Sequence, residues 1–281
     1  EVGKLTLVSS VSLAVNIGGP GSMLAQMYDT WRRIDPAGEI WCLPIKGEGA
    51  KAAGTVTIAG AATEAGVLNL YVAGVRVRAV VVTGATPTEV AAAVVAAVNA
   101  AGLSVVATSA AGVVTLTCKW SGASGNYIAL QLNRLGRNNG ESTPAGLTVA
   151  LSAMAKGAGS PEVADLLASL GDEPFEFICS PWTDATSLNA WQEFMGDSAG
   201  RWSWTKQLYG HLYAAKRGTV GQLVAFGVTR NDQHATIYGF EPDSPDPFWR
   251  AAAAYAARTA VFISADPARP TQTGELTGIA P

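Results

Sequence analysis

The hydrophobic residues of this chain follow two rhythms that no single sheet or bundle accommodates. From the start to about residue 45, and again from about 157 to 281, short apolar runs alternate with runs spaced at three to four residues. That is the pattern of mostly parallel strands joined by crossover helices. From Lys46 to Lys156 the chain instead alternates apolar and polar residue by residue, as in Thr55-Val56-Thr57-Ile58 and Val75-Arg76-Val77-Arg78-Ala79-Val80. Period-two alternation describes half-buried antiparallel strands. The fold class is therefore α/β: a discontinuous α/β domain over 1–45 and 157–281, carrying an inserted β-rich α+β domain over 46–156.

In the outer part, Gly18-Gly19-Pro20-Gly21-Ser22 breaks the chain before Met23, Leu24, Met27, Trp31 and Ile34 recur at helical spacing. Asp35-Pro36 stops that helix, and Glu39–Ile45 reads as a strand. The pattern resumes with a helix over Val163–Leu170, a strand over Phe175–Cys179 and a helix from about Thr186 to Met195. Next come a strand over Gln207–Tyr213, a helix from about Thr219 to Val228, a strand over Ala235–Phe240 and a last helix from Asp246. These strands are expected side by side. Inside the insert, Thr86-Pro87-Thr88-Glu89 opens one helix as a capping box, with Val90, Val94 and Val98 as its buried stripe. Leu68–Val72, Leu103–Thr108, Val113–Cys118 and Tyr127–Leu132 read as further strands. Gly47-Glu48-Gly49 and Lys156-Gly157-Ala158-Gly159 read as hinges between the domains.

Composition excludes several classes. With 48% hydrophobic and 15% charged residues the chain buries a core rather than staying disordered. A net charge of −3 with no Lys/Arg run beyond two residues lacks the basic footprint of a nucleic-acid binder. No stretch reaches the roughly 18 apolar residues of a membrane-spanning helix, so no membrane insertion is expected. Cys42, Cys118 and Cys179 are widely spaced and expected reduced.

Gly196-Asp197-Ser198-Ala199-Gly200 fits the Gly-x-Ser-x-Gly pattern, with His211 and His234 as the two imidazoles that could serve as base. A nucleophile elbow needs a strand before the serine and a helix after it; here a helix precedes and Arg201-Trp202-Ser203-Trp204 follows, so a helix C-terminus is the simpler reading. Gly18-Gly19-Pro20-Gly21 precedes a helix, yet the dinucleotide fingerprint meets Leu24 where its third glycine belongs. Asp172-Glu173 and Asp243 with Asp246 flank prolines and read as solvated turn carboxylates. No catalytic, cofactor-binding or metal-binding residue is assigned, and no cofactor is expected. Trp191 and Trp249 are expected in the core, whereas Trp202 and Trp204, if they lie on a strand, share one face suited to a subunit contact.

Four strings in order resemble the contractile-tail sheath proteins of Mu-like bacteriophages. These are Gly21–Met27 with Asp35–Pro44; Gly54–Ile58 with Leu68–Gly74; Tyr209-Gly210 through Gly218-Thr219, Gly227–Asn231 and His234; and Trp249–Arg258 with Asp266-Pro267-Ala268-Arg269-Pro270. The resemblance implies a subtilisin-like sheath core and a structural subunit rather than an enzyme. It implies rings stacked helically around a tail tube protein, capped by baseplate and tail terminator, that contract to drive the tube through a host envelope. Assembly in the host cytoplasm into a virion, from phage or prophage, follows, as do terminal arms that join neighbours by strand addition. The start at Glu1 and the Pro-, Gly- and Thr-rich run from Asp266 to Pro281 lead to the expectation of a core without those arms, monomeric or weakly associated by itself. Two other classes stand beside it: an α/β hydrolase using Ser198, and a surface glycan-binding module using Tyr71 or Trp120.

Overall fold

The computed structural model describes residues 2–268, 270–271 and 275–279. Glu1, Arg269, Gln272-Thr273-Gly274 and Ala280-Pro281, on which part of the expectation about the chain ends rests, lie outside the described residues. The chain divides into two compact units: Glu1–Gly19, Met23–Lys46 and Ser160–Pro281 form one, Pro20–Ser22 and Gly47–Gly159 the other.

The first unit starts with strand β1 (Thr6–Val8), helix α1 (Val11–Gly18), helix α2 (Met23–Ile34) and strand β2 (Ile40–Cys42). Ser10 caps α1 by accepting from the Leu13 amide, and Gly19 ends it at φ 88°, so the glycine cluster separates two helices. Asp35 stops α2 as the sequence requires, its carboxylate accepting from the Gly38 amide at 2.9 Å while Arg32 donates to the Gly38 carbonyl at 2.8 Å. That tight turn sends β2 back antiparallel to β1, with Leu7 opposite Trp41.

The second unit contains β3 (Ala53–Gly60), β4 (Gly66–Val72), β5 (Val75–Val81), α3 (Pro87–Ala100), β6 (Val105–Ala110), β7 (Val113–Cys118), β8 (Leu130–Leu132) and β9 (Leu147–Ala155). Two antiparallel sheets result, ordered β6-β7-β3-β9 and β5-β4-β8. Helix α3 packs on strands of both. Thr86 and Glu89 form the reciprocal capping box, and Val90, Val94 and Val98 are buried. The two glycine-rich segments read as hinges are cross-tied: Ala50 bridges Ala158, and Asn126 bonds both the amide and the carbonyl of Gly157. A Cβ on Gly49 would stand 2.1 Å from the Ala158 carbonyl oxygen, so glycine there permits the close approach of two backbones.

The chain then completes the first unit with α4 (Ala164–Leu167), β10 (Phe177–Cys179), α5 (Ala185–Met195), β11 (His211–Arg217), α6 (Val220–Gly227), β12 (Ala235–Phe240) and α7 (Phe248–Ala265). Strands β10, β11 and β12 are parallel neighbours in that order, each joined to the next by a crossover segment that contains a helix. Successive β11 side chains point to opposite faces: Leu212 joins Leu188, Trp191 and Met195 of α5, whereas Ala215 meets Ala251 and Ala252 of α7. Six alanines of α7, from Ala251 to Ala257, are at most 1% exposed; small side chains let this helix sit close to both α2 and the sheet.

Two expectations about the core sheet are corrected. The strand ending at Cys42 does not join the parallel strands, because the short turn after α2 commits it to β1; among the described residues the sheets are mostly antiparallel. The strand placed at Gln207–Tyr213 begins at His211, since Gln207 takes φ 53° and the preceding residues form turns pinned by Leu208 donating to the Arg201 carbonyl at 2.8 Å.

Candidate functional site

The Gly196–Gly200 segment follows the C-terminus of α5 and leads into turns. A Cβ on Gly200 would meet the Gly196 amide nitrogen at 2.4 Å and the Phe194 carbonyl at 2.7 Å. The second glycine of the pattern is therefore fixed by the chain folding back on the helix end. His234 is 6% exposed; its Nε2 lies 3.1 Å from the Asp197 carboxylate and its ring stacks on Trp202 at 4.5 Å. His211 Nε2 lies 2.8 Å from the Thr236 hydroxyl. Burial lowers the His211 pKa, His234 lowers it further and Asp232 opposes. Both imidazoles are committed elsewhere, and Ser198, on an exposed turn, has no base within hydrogen-bonding reach among the described residues.

Trp202 and Trp204 are not strand neighbours. Both lie in turns, Trp202 half-buried with Nε1 donating to the Gly210 carbonyl at 2.9 Å and Trp204 at 85% exposed. Arg201 explains the turn: it is buried, and its guanidinium donates to the carbonyls of Gly171 and Glu173, so the following residues wrap around an internal strut. Asp246 is also not a solvated turn carboxylate. It is 5% exposed and paired with Arg250 one helical turn away. Asp172, Glu173 and Asp243 are exposed as expected. No cluster of three or more potential metal ligands occurs among the described residues.

The two aromatic residues considered for glycans are not open platforms. Tyr71 is 5% exposed, and its hydroxyl donates to Glu141 at 2.5 Å. Trp120 is half-buried, with Nε1 donating to Ser124 at 2.9 Å. Glu141 is the residue that the sequence does not announce. It is 2% exposed, and it accepts from Tyr71, from Arg76 at 3.1 Å and from the Leu135 amide at 3.0 Å. Burial alone would raise its pKa; these three donors together hold it below the usual carboxylate value.

Further surfaces lie in the first unit. Helix α6 and its C-cap residue present Val220, Val224 and Val228 at 60–80% exposed, four residues apart and so on one face. A cleft of about 250 Å³ in the first unit lies among Met27, Trp31, Trp41, Phe175 and Trp182. The parallel sheet ends on β10 at one side and β12 at the other, neither outer edge pairing with a further strand among the described residues.

A sequence model described as the phage tail sheath protein central domain matches residues 156–281. Over 276 residues, 97% of this chain and 55% of the relative, the sequence is 36% identical to a protein named Mu-like prophage FluMu tail sheath protein from Haemophilus influenzae (strain Rd). The chain spans about half the length of that curated relative.

Proposed function

We propose that this chain, similar to phage tail sheath proteins of Mu-like prophages, forms the wall of a contractile tail. Copies polymerise into rings stacked helically around a tail tube, bounded by baseplate and terminator, and the stack shortens to drive the tube through a host envelope. The observation that carries this reading is the 36% identity extending over 97% of the chain, through both the central-domain match and the β-rich insert.

The geometry supports a building element rather than a catalyst. Ser198 lacks an activating partner, while the parallel sheet around β11 is buried on both faces by α5 and α7, a stiff body suited to moving as a unit. We read it, with its crossover helices, as a reduced subtilisin-like sheath core. Unpaired edges on β10 and β12 are where strands of neighbouring subunits can add. Contraction then releases a difference in packing between two arrangements of rigid subunits. The unit formed by residues 47–159 decorates the outside, and assembly takes place in the host cytoplasm before incorporation into the virion.

Electron microscopy of the protein expressed from its complete reading frame with its cognate tube protein tests this. Tubular polymers in long and short forms are expected. Particles that stay single at every concentration would refute it.

A further inference from the structure

Helix α3 packs on β5, and strands β4 and β5 carry polar residues in register: Asn69 lies opposite Arg78, and Tyr71 opposite Arg76. Over them lies a cavity of about 350 Å³ closed by Glu64 and by the segment from Asn139 to Pro144. That volume is within the roughly 300–1,000 Å³ of small-molecule sites.

The hydrogen-bonding groups divide into committed and free. Glu141 is already engaged by Tyr71, Arg76 and the Leu135 amide, so it fixes the cavity wall and the orientation of Arg76. Arg78, exposed and without a partner among the described residues, offers a whole guanidinium. Glu64 accepts from the Ala145 amide at 3.3 Å through one oxygen, leaving the other open. Asn69 is 4% exposed, yet its amide makes only a 3.4 Å bond to the Val67 carbonyl within its own strand, and its side-chain oxygen accepts nothing. That oxygen keeps contact with solvent and, with no donor from the fold among the described residues, is available to a donor from outside it.

Two guanidiniums and two carboxylates line the same space, so the charges balance and an anion gains little net attraction. Donors and acceptors are interspersed, with Ala65, Val67 and Pro144 as the apolar elements. Hydroxyls that each donate and accept, on a compact ring with a C–H face, match this arrangement. We propose that this cavity binds a neutral pyranose residue of a glycan, read by Asn69, Arg78 and Glu64. The site is independent of polymerisation, so its test and that of the sheath reading fail separately.

The test uses the full chain and saturation-transfer NMR with the methyl glycosides of glucose, galactose, mannose and N-acetylglucosamine, alongside inorganic phosphate and glucuronate. At least one neutral glycoside is expected to bind with Kd on the order of millimolar. Arg78→Ala should weaken it at least about tenfold, the loss of a charged hydrogen bond, with an unchanged circular dichroism spectrum. Asn69→Ala should act likewise; if that variant does not fold, Arg78→Ala decides alone. Failure of every neutral glycoside to bind, binding of only phosphate or glucuronate, or a bound glycoside indifferent to Arg78→Ala overturns the proposal.

Discussion

Replacing Trp249 with alanine tests whether α7 is the element that holds the first unit together. Trp249 is fully buried, lies edge-on to Phe248 at 5.1 Å and donates its indole N–H to the Gln26 side chain of α2 at 2.8 Å. Around it α7 presents mostly alanines, so few side chains of that helix can collapse into the space. Truncation should therefore cost the upper part of the usual range for buried aromatics, about 3–5 kcal/mol. Trp249→Phe keeps an aromatic ring beside Phe248 and loses chiefly the hydrogen bond, about 1–2 kcal/mol. For a unit of this size each kcal/mol shifts Tm by roughly 2–4 °C, which gives about 6–20 °C for alanine. Tryptophan fluorescence during urea or thermal unfolding is a selective assay, because Trp120 is the one tryptophan within residues 47–159 and emission follows mainly the other unit. An alanine variant that loses less than about 1 kcal/mol, or no more than phenylalanine does, would show that α7 is not clamped as argued.

Enlarging the alanine face should destabilise by overpacking: Ala252→Leu or Ala256→Leu is expected to cost about 1–3 kcal/mol or more, read as a lowered urea midpoint. Thr86→Ala removes the cap of α3 and should cost about 1 kcal/mol in the other unit, with little change in tryptophan emission, and Thr86→Ser should restore most of it. His211 has a folded pKa below its unfolded value near 6.5, so its contribution is present above that value and lost as pH falls through it; Tm should drop from pH 7 toward pH 5, and His211→Gln should flatten that drop. Burial raises the thiol pKa of Cys42 to about 12 and of Cys118 to about 11, and raises that of Cys179 as well. All three are free, so iodoacetamide at pH 8 should label them slowly until the protein is unfolded, and rapid labelling of the native chain would contradict the burial.

Local chemistry made much of this fold legible from sequence. Helix α2 runs over Met23–Ile34 as its spacing dictates, the Thr86–Glu89 box opens α3, and Val113–Cys118 and Ala235–Phe240 are strands over the stretches read for them. Each is set by signals within a few residues: side-chain period, a cap, a proline. Strand β9 went unread although Leu147, Val149 and Leu151 alternate, because its partner β3 lies far away in sequence. The Glu141 site was equally hidden. Tyr71 and Arg76 are 70 and 65 residues from it, and a lone glutamate between Gly140 and Ser142 looks like any exposed turn residue. Sequence by itself determined element type, the change of rhythm near residues 46 and 156, and the resemblance to tail sheath proteins. Only the tertiary structure decided which strands pair, that Asp246 and Arg201 are buried, and which polar groups face one cavity. Pairing and burial are settled by contacts between residues distant along the chain, and short-range periodicity carries no information about those.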